Sequence, residues 1–399
     1  MARFSFLRPH LGLIIAGSAA FSMSTLFSSV KPVLLTQFMK EVGAQASLAG
    51  WIVATPFIGI ALATLFVAKL LERYSYRLII TYAGAALVTC QALNSLFFVN
   101  SFSTLLLQLV SGISVGVLMG ATSSFIARSN ATGALFGLVD MIGVLLMSLM
   151  VAGASMTTEK YGVAGGFVFS ALLCILFWLA MYVYKQETVT NISHQSAGET
   201  EPKEFKLSLR PVIIIIMGVL FVTFSGQGFA FMFTVASNLG MTFEQSGNSI
   251  GLILFLSAFA CLIGGMCSAR FGPEKPLLVA FIVCALGWTT AINSQSQSLF
   301  LMGLFPAICA LQFSFPVLLS LAGTLDNHGR WAAIATPLFT SGFAWAAIMS
   351  GQVVEIWGLS TLATTTQIGM LICIVLLGVS IWISTKQSAK ANIPIDECA

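Results

Sequence analysis

Two ionisable side chains stand inside long apolar stretches of this chain, Lys31 in SSVKPVLL and Asp140 in FGLVDMIG. A charge at the centre of a bilayer costs about 2.5–3.5 kcal/mol on the insertion scale, so each is a functional candidate from the outset. Lys31 follows Ser24 and Ser28 at helical spacing, which puts two hydroxyls and an ammonium on one face. The ammonium would lie about 10 Å along the helix from Ser24. Pro32 comes next and frees a backbone carbonyl one turn earlier. Such a face suits a carboxylate, sulfonate or phosphate; the plain alternative is a lysine reaching for the headgroups. Asp140 is the candidate proton-coupling site, either alone or in a pair with Lys31 that breaks when substrate arrives; its plain alternative is an acid bonded to a backbone or hydroxyl donor. Among uncharged groups, Gln227 lies between Gly226 and Gly228, a pair expected to loosen the helix and present the amide. Gln312 and Ser314 precede Pro316, and Phe231 and Trp345 offer apolar walls.

The elements that must carry these groups are membrane spans. The 399 residues are 57% hydrophobic and 8% charged, with a mean hydropathy of +0.95. A soluble domain carries about 25% charged residues, so a water-soluble globule is excluded. Apolar runs repeatedly exceed the length needed to cross hydrocarbon, and they predict twelve spans at about 11–38, 46–68, 77–98, 103–127, 131–157, 163–184, 209–238, 245–269, 276–294, 297–323, 331–355 and 361–384. The fold class is therefore an all-α membrane protein. The polar stretch 185–208 reads as a flexible linker between a six-helix bundle at 1–184 and another at 209–399. The early apolar run is expected to be a retained first span, not a cleaved leader.

The halves repeat at an offset of 197 residues. Gly43 falls on Gly240, Gly50 on Gly247, Arg73 on Arg270 and Ser101 on Ser298, while Asp140 falls on Pro337. Duplicated bundles place a substrate between the repeats near the midplane. With both termini cytoplasmic, every Lys and Arg except Lys31, Lys40 and Lys160 lies on the cytoplasmic side, which is the orientation the positive-inside rule favours. The net charge of +4 then reflects topology, and no nucleic-acid partner is expected. The cysteines show no metal or redox spacing, and no phosphate-binding glycine loop is present, so no cofactor is expected and energy must come from a gradient.

These features resemble the major facilitator superfamily over nearly the whole chain. The family's basic turn between spans 2 and 3 is matched by Ala68-Lys69-Leu70-Leu71-Glu72-Arg73-Tyr74-Ser75-Tyr76-Arg77, and its repeat by Gly265 to Lys275, where Arg270-Phe271-Gly272 is kept and the acid is lost. The resemblance implies two pseudo-symmetric bundles, with Glu72, Arg73, Arg77 and Arg270 as a gating group that latches the halves in one state. In span 4 the family often carries an Arg linked to proton coupling ahead of two glycines; here Gln108 stands there, before Gly112 and Gly116, so coupling through that residue is excluded. Span 5 lacks the Gly-Pro pair of many proton-driven exporters, which weakens an efflux reading.

The expected function is secondary active transport of a small organic solute, anionic or zwitterionic, by proton symport in a cell inner membrane. Lys31, Ser24, Ser28, Gln108, Gln227 and Gln312 would bind the solute and Asp140 the proton; the chain would work as a monomer in the lipid bilayer. The first alternative is proton-driven efflux of an amphiphile, and the second is a membrane sensor that does not transport. No nucleophile–base or metal constellation points to an enzyme.

Overall fold

Long apolar helices with polar caps build the whole architecture. The computed structural model describes residues 7–64, 66–127, 132–184, 209–325 and 330–391, so the 185–208 segment lies outside it. The helices are α1 Leu7–Glu41, α2 Ala46–Thr64, the short α3 Val67–Arg73, α4 Tyr76–Phe97, α5 Ser101–Ala127, α6 Thr132–Met181, α7 Leu209–Asn238, α8 Phe243–Phe271, α9 Glu274–Ile292, α10 Gln297–Gly323, α11 Arg330–Trp357 and α12 Thr361–Ala391. Ten of these are long and apolar enough to cross a membrane, and α11, at 28 residues, is long enough to do so. The 50-residue α6 holds two crossings: Gly162, at φ 67°, breaks it into limbs that run in opposite directions. Together they make the twelve crossings expected; the expected span 2 is divided into α2 and α3, and spans 5 and 6 are joined through Gly162.

Helix ends explain the turns. First-turn amides have no intrahelical acceptor, and here polar side chains supply one. Ser75 Oγ accepts from Leu78, Ser296 Oγ from Leu299, and Thr242 with Gln245 forms a reciprocal capping box. Glu41, at the end of α1, accepts from the Val163 amide at 2.9 Å and so caps the second limb of α6. Gly43 and Gly240, repeat equivalents, both have positive φ and let the chain reverse after α1 and α7.

Each half packs as a bundle: α1 against α6 and α2 against α5 in the first, α10 against α8 and α9, and α12 against α7 and α9, in the second. Small residues set the α2–α5 distance. A Cβ on Gly112 would lie 2.1 Å from the Pro56 carbonyl oxygen, and one on Gly116 2.5 Å from the Ala63 Cβ, so only glycine permits this approach. The halves meet along a seam formed by α2 with α11, α6 with α8, and α1 with α7. The face where α1 begins and α12 ends is called terminal below; the other is distal.

Candidate functional site

The seam is tight at its distal end. A Cβ on Gly50 would lie 2.4 Å from the Ala347 carbonyl oxygen, one on Gly351 2.6 Å from that of Ala46, and one on Gly251 2.9 Å from that of Ser148. Hydrogen bonds cross at the same level. Thr36 and Thr234 hydroxyls meet at 2.9 Å, Lys40 donates to Ser237, the Ser47 amide donates to Glu355 at 2.9 Å, and the Glu244 amide donates to Glu159.

Below these contacts lies a cavity of about 20 Å³, room for roughly one water. Its wall comes from α1, α2, α7 and α11 and includes Phe27, Ser28, Phe57, Phe229 and Phe343. Phe57 and Phe343 stack across the seam on the cavity's terminal side, 5.7 Å between centroids. These four cross-seam hydrogen bonds lie on the distal side of this stack. The molecule is therefore closed distally around a nearly filled central pocket.

Ser28 lines the pocket, although its hydroxyl is taken up by the Thr25 carbonyl, and Ser24 is buried on the same helix. Lys31 departs from expectation, since the pocket wall does not include it. It is 3% exposed, its ammonium lies 5.4 Å from the Phe27 ring and 5.2 Å from the Phe167 ring, and it has no hydrogen-bond acceptor. Phe167 belongs to the second limb of α6, so the charge is turned into the first bundle. Rings can stabilise it through their faces, but among the described residues no carboxylate pairs with it.

A Lys31–Asp140 pair is ruled out in this conformation. A Cβ on Gly17 would lie 3.0 Å from Val139, so Asp140 is level with Gly17, fourteen residues and about 21 Å from Lys31 along α1. Asp140 instead stands near Cys261 of α8, across the α6–α8 seam. The third departure is Gln227. Its flanking glycines do not loosen the helix, since α7 runs unbroken; they admit neighbours, with Trp288 packed where a Gly228 Cβ would stand, 2.3 Å away. The Gln227 carbonyl accepts from Thr365 at 2.9 Å and its NH2 is left unpaired.

Gln108 is fully buried with neither amide atom paired. Gln312 is half-buried, and its backbone carbonyl accepts from the Cys261 thiol. Phe231 is buried, whereas Trp345 is 55% exposed on the outer surface and does not line the central pocket. Glu72, Arg73, Arg77 and Arg270 are all exposed on the terminal face, and among the described residues the ion pair is a different one, Arg210 with Glu274 at 3.8 Å.

Two groups escaped the sequence reading. Gln91, with an unpaired buried NH2, and Trp288, with an unpaired buried ring N–H, occupy equivalent positions in the 197-residue repeat. An amide inside an apolar span was the available signal for Gln91; a tryptophan in a span carries none. Unpaired buried donors thus recur in both bundles: Lys31, Gln91 and Gln108 in one, Gln227 and Trp288 in the other. Native interiors rarely leave such groups without partners.

The architecture is similar to that of solved transporters. A D-xylose-proton symporter aligns at 14% identity and TM-score 0.73, covering 94% of this chain and 97% of that one. The nucleoside transporter NupG aligns at 14% identity and TM-score 0.71, covering 94% and 98%. A bacterial homolog of the human lysosomal transporter Spinster aligns at 14% identity and TM-score 0.69, covering 95% and 96%. At such identities the likeness establishes the fold alone. No curated protein matches the sequence. The family model described as Major Facilitator Superfamily matches residues 13–330, which takes in the first bundle and α7 to α10 of the second. On that match, and on the multi-pass helical architecture that agrees with it, the chain belongs to the Major Facilitator Superfamily of transporters.

Proposed function

We propose that the chain moves a small organic anion or zwitterion across a cell inner membrane by alternating access, in symport with protons. The observation that carries this reading is the distal closure: two pseudo-symmetric bundles joined at that face around a central pocket. A purely structural pair of bundles has no need of a pocket enclosed between its halves beneath such a closure. With the terminal face cytoplasmic, as the basic residues argue, this conformation opens inward. The 185–208 segment then joins the two bundles as a cytoplasmic linker, and the protein acts as a monomer.

The excess of unpaired donors supports an acceptor-rich solute. Lys31, Gln108 and Gln227 would turn to it as the pocket enlarges, because a buried donor without an acceptor costs more than a bonded one. Asp140, on the α6–α8 seam, is placed to change a contact between halves when it takes or loses a proton. The exposed gating group Glu72, Arg73, Arg77 and Arg270 would engage when the terminal face closes. A second reading, efflux of an amphiphile, draws on the pocket's aromatic wall.

The test is uptake by proteoliposomes holding the purified chain, with labelled organic acids and amino acids under an imposed pH gradient. Accumulation down the proton gradient, lost in Lys31→Ala, is the expected result. If only lipophilic cations move, against protons and equally in the variant, the efflux reading takes its place.

A further inference from the structure

The distal closure obeys the internal repeat. Ser47 and Glu244 are equivalent at the 197-residue offset, and each is the second residue of its helix, α2 and α8 respectively. Each amide is held by a carboxylate from the other half. Glu355, in the last turn of α11, accepts from Ser47 at 2.9 Å, and Glu159, at the end of the first limb of α6, accepts from Glu244. Glu159 maps by the repeat onto Ile356, one residue from Glu355, so the two acids are near-equivalents as well. Between them Lys40 bonds its own equivalent, Ser237, and Thr36 meets Thr234. The pseudo-two-fold axis therefore passes between α1 and α7 at this face, with one carboxylate–helix contact on either side.

We propose that Glu159 and Glu355 are a paired latch that holds the distal face shut, each capping the start of a helix in the opposite half. The physical basis is reciprocal. Amides at the second position of a helix have no partner within it, and the helix start carries partial positive charge. A carboxylate satisfies both, but only while the halves touch. When the face opens, both caps pass to water together, so the latch stabilises one state and adds nothing to the other. That differential is what shifts a two-state equilibrium. Neither acid touches the central pocket, so the latch would set how often the face opens without altering what the pocket holds. This inference rests on the alternating-access reading.

The test measures opening directly. Ala230, 5% exposed on the pocket wall, is replaced by cysteine, and a membrane-impermeant maleimide is applied to intact cells and to inside-out vesicles, with the native sequence as background. Glu159→Ala with Glu355→Ala should raise labelling from the distal side by about fivefold, more than either change alone, by weakening both contacts at once. Glu159→Gln with Glu355→Gln, which keeps side-chain shape, should raise it by about twofold and carries the test if the alanine pair fails to fold. Gly50→Val is the wedge control, because its side chain must displace the Ala347 backbone. If the wedge raises labelling and the acid pairs do not, the latch is refuted while alternating access stands. If the wedge also leaves labelling unchanged, the face does not open and both ideas fall.

Discussion

Replacing Lys31 by methionine should make the protein more stable and less active. The side chain is 3% exposed, has no hydrogen-bond acceptor, and packs between two phenyl rings near the Cys174 thiol. Exchanging a lysine for an apolar residue at a span centre is worth about 3 kcal/mol on the insertion scale. Against that, the two ring contacts, at 5.2 and 5.4 Å, together offset about 2 kcal/mol. Methionine fills the same channel with little strain, because it is unbranched and adaptable. The difference leaves a net gain on the order of 1 kcal/mol, seen as a rise of a degree or more in the melting temperature of purified protein. Transport by the same preparation should fall to background if the ammonium meets the solute. Stability gained with function lost is the pattern of a group kept for activity at the expense of the fold. A Lys31→Met protein that melts lower and transports normally would refute the argument, since it would mean that the buried ammonium is a structural necessity with a partner of its own.

Four further outcomes follow from particular contacts. Gly112→Ala places a methyl 2.1 Å from the Pro56 carbonyl oxygen and should cost at least about 1–3 kcal/mol in thermal unfolding, whereas Gly378→Ala, with open space around it, should leave melting unchanged. Asp140→Asn should abolish accumulation driven by a pH gradient yet leave exchange of labelled for unlabelled solute intact; equal loss of both would mark Asp140 as structural. Thr365→Val removes the hydroxyl that fixes the Gln227 carbonyl, and the KM for uptake should rise several-fold with little change in maximal rate. Arg73→Gln should slow transport without moving the melting temperature, because in this conformation the side chain is exposed and joins no ion pair among the described residues.

How far the sequence could be read depended on which physical quantity governed each feature. Spans follow from the cost of backbone and charge in hydrocarbon, a property of composition along the chain, so all twelve were legible. Joining of spans 5 and 6 through Gly162 was not, because a single left-handed glycine leaves no mark on hydropathy. Helical spacing placed Ser24, Ser28 and Lys31 on one side of α1, and Ser28 does line the pocket. The same spacing could not say that the long Lys31 side chain leans toward Phe167, since that is decided by the neighbouring limb of α6. Asp140 and Lys31 are both charges within spans, but periodicity carries no information on relative depth; the Gly17–Val139 contact does. The glycines beside Gln227 could be read as loosening or as packing, and only the position of Trp288 decides for packing.

The repeat is faithful in the framework and broken at the chemistry. Gly43 and Gly240 make the same turn, and Ser47 and Glu244 take the same kind of cap. Yet Lys31 faces aromatic rings where its equivalent, Gly228, makes room for Trp288, and Gln91 stands where the other half has Trp288 itself. Asp140 has Pro337 for an equivalent. A rocking mechanism needs matched surfaces on the two halves, so that the seam can close at either face with similar energy; a small solute lying across the axis needs the opposite, since it is not itself two-fold symmetric. Symmetry in caps and turns with asymmetry in buried donors is what both demands together require. It also orders the experiments: variants at equivalent caps should act alike on opening, while variants at equivalent buried donors should act differently on the solute.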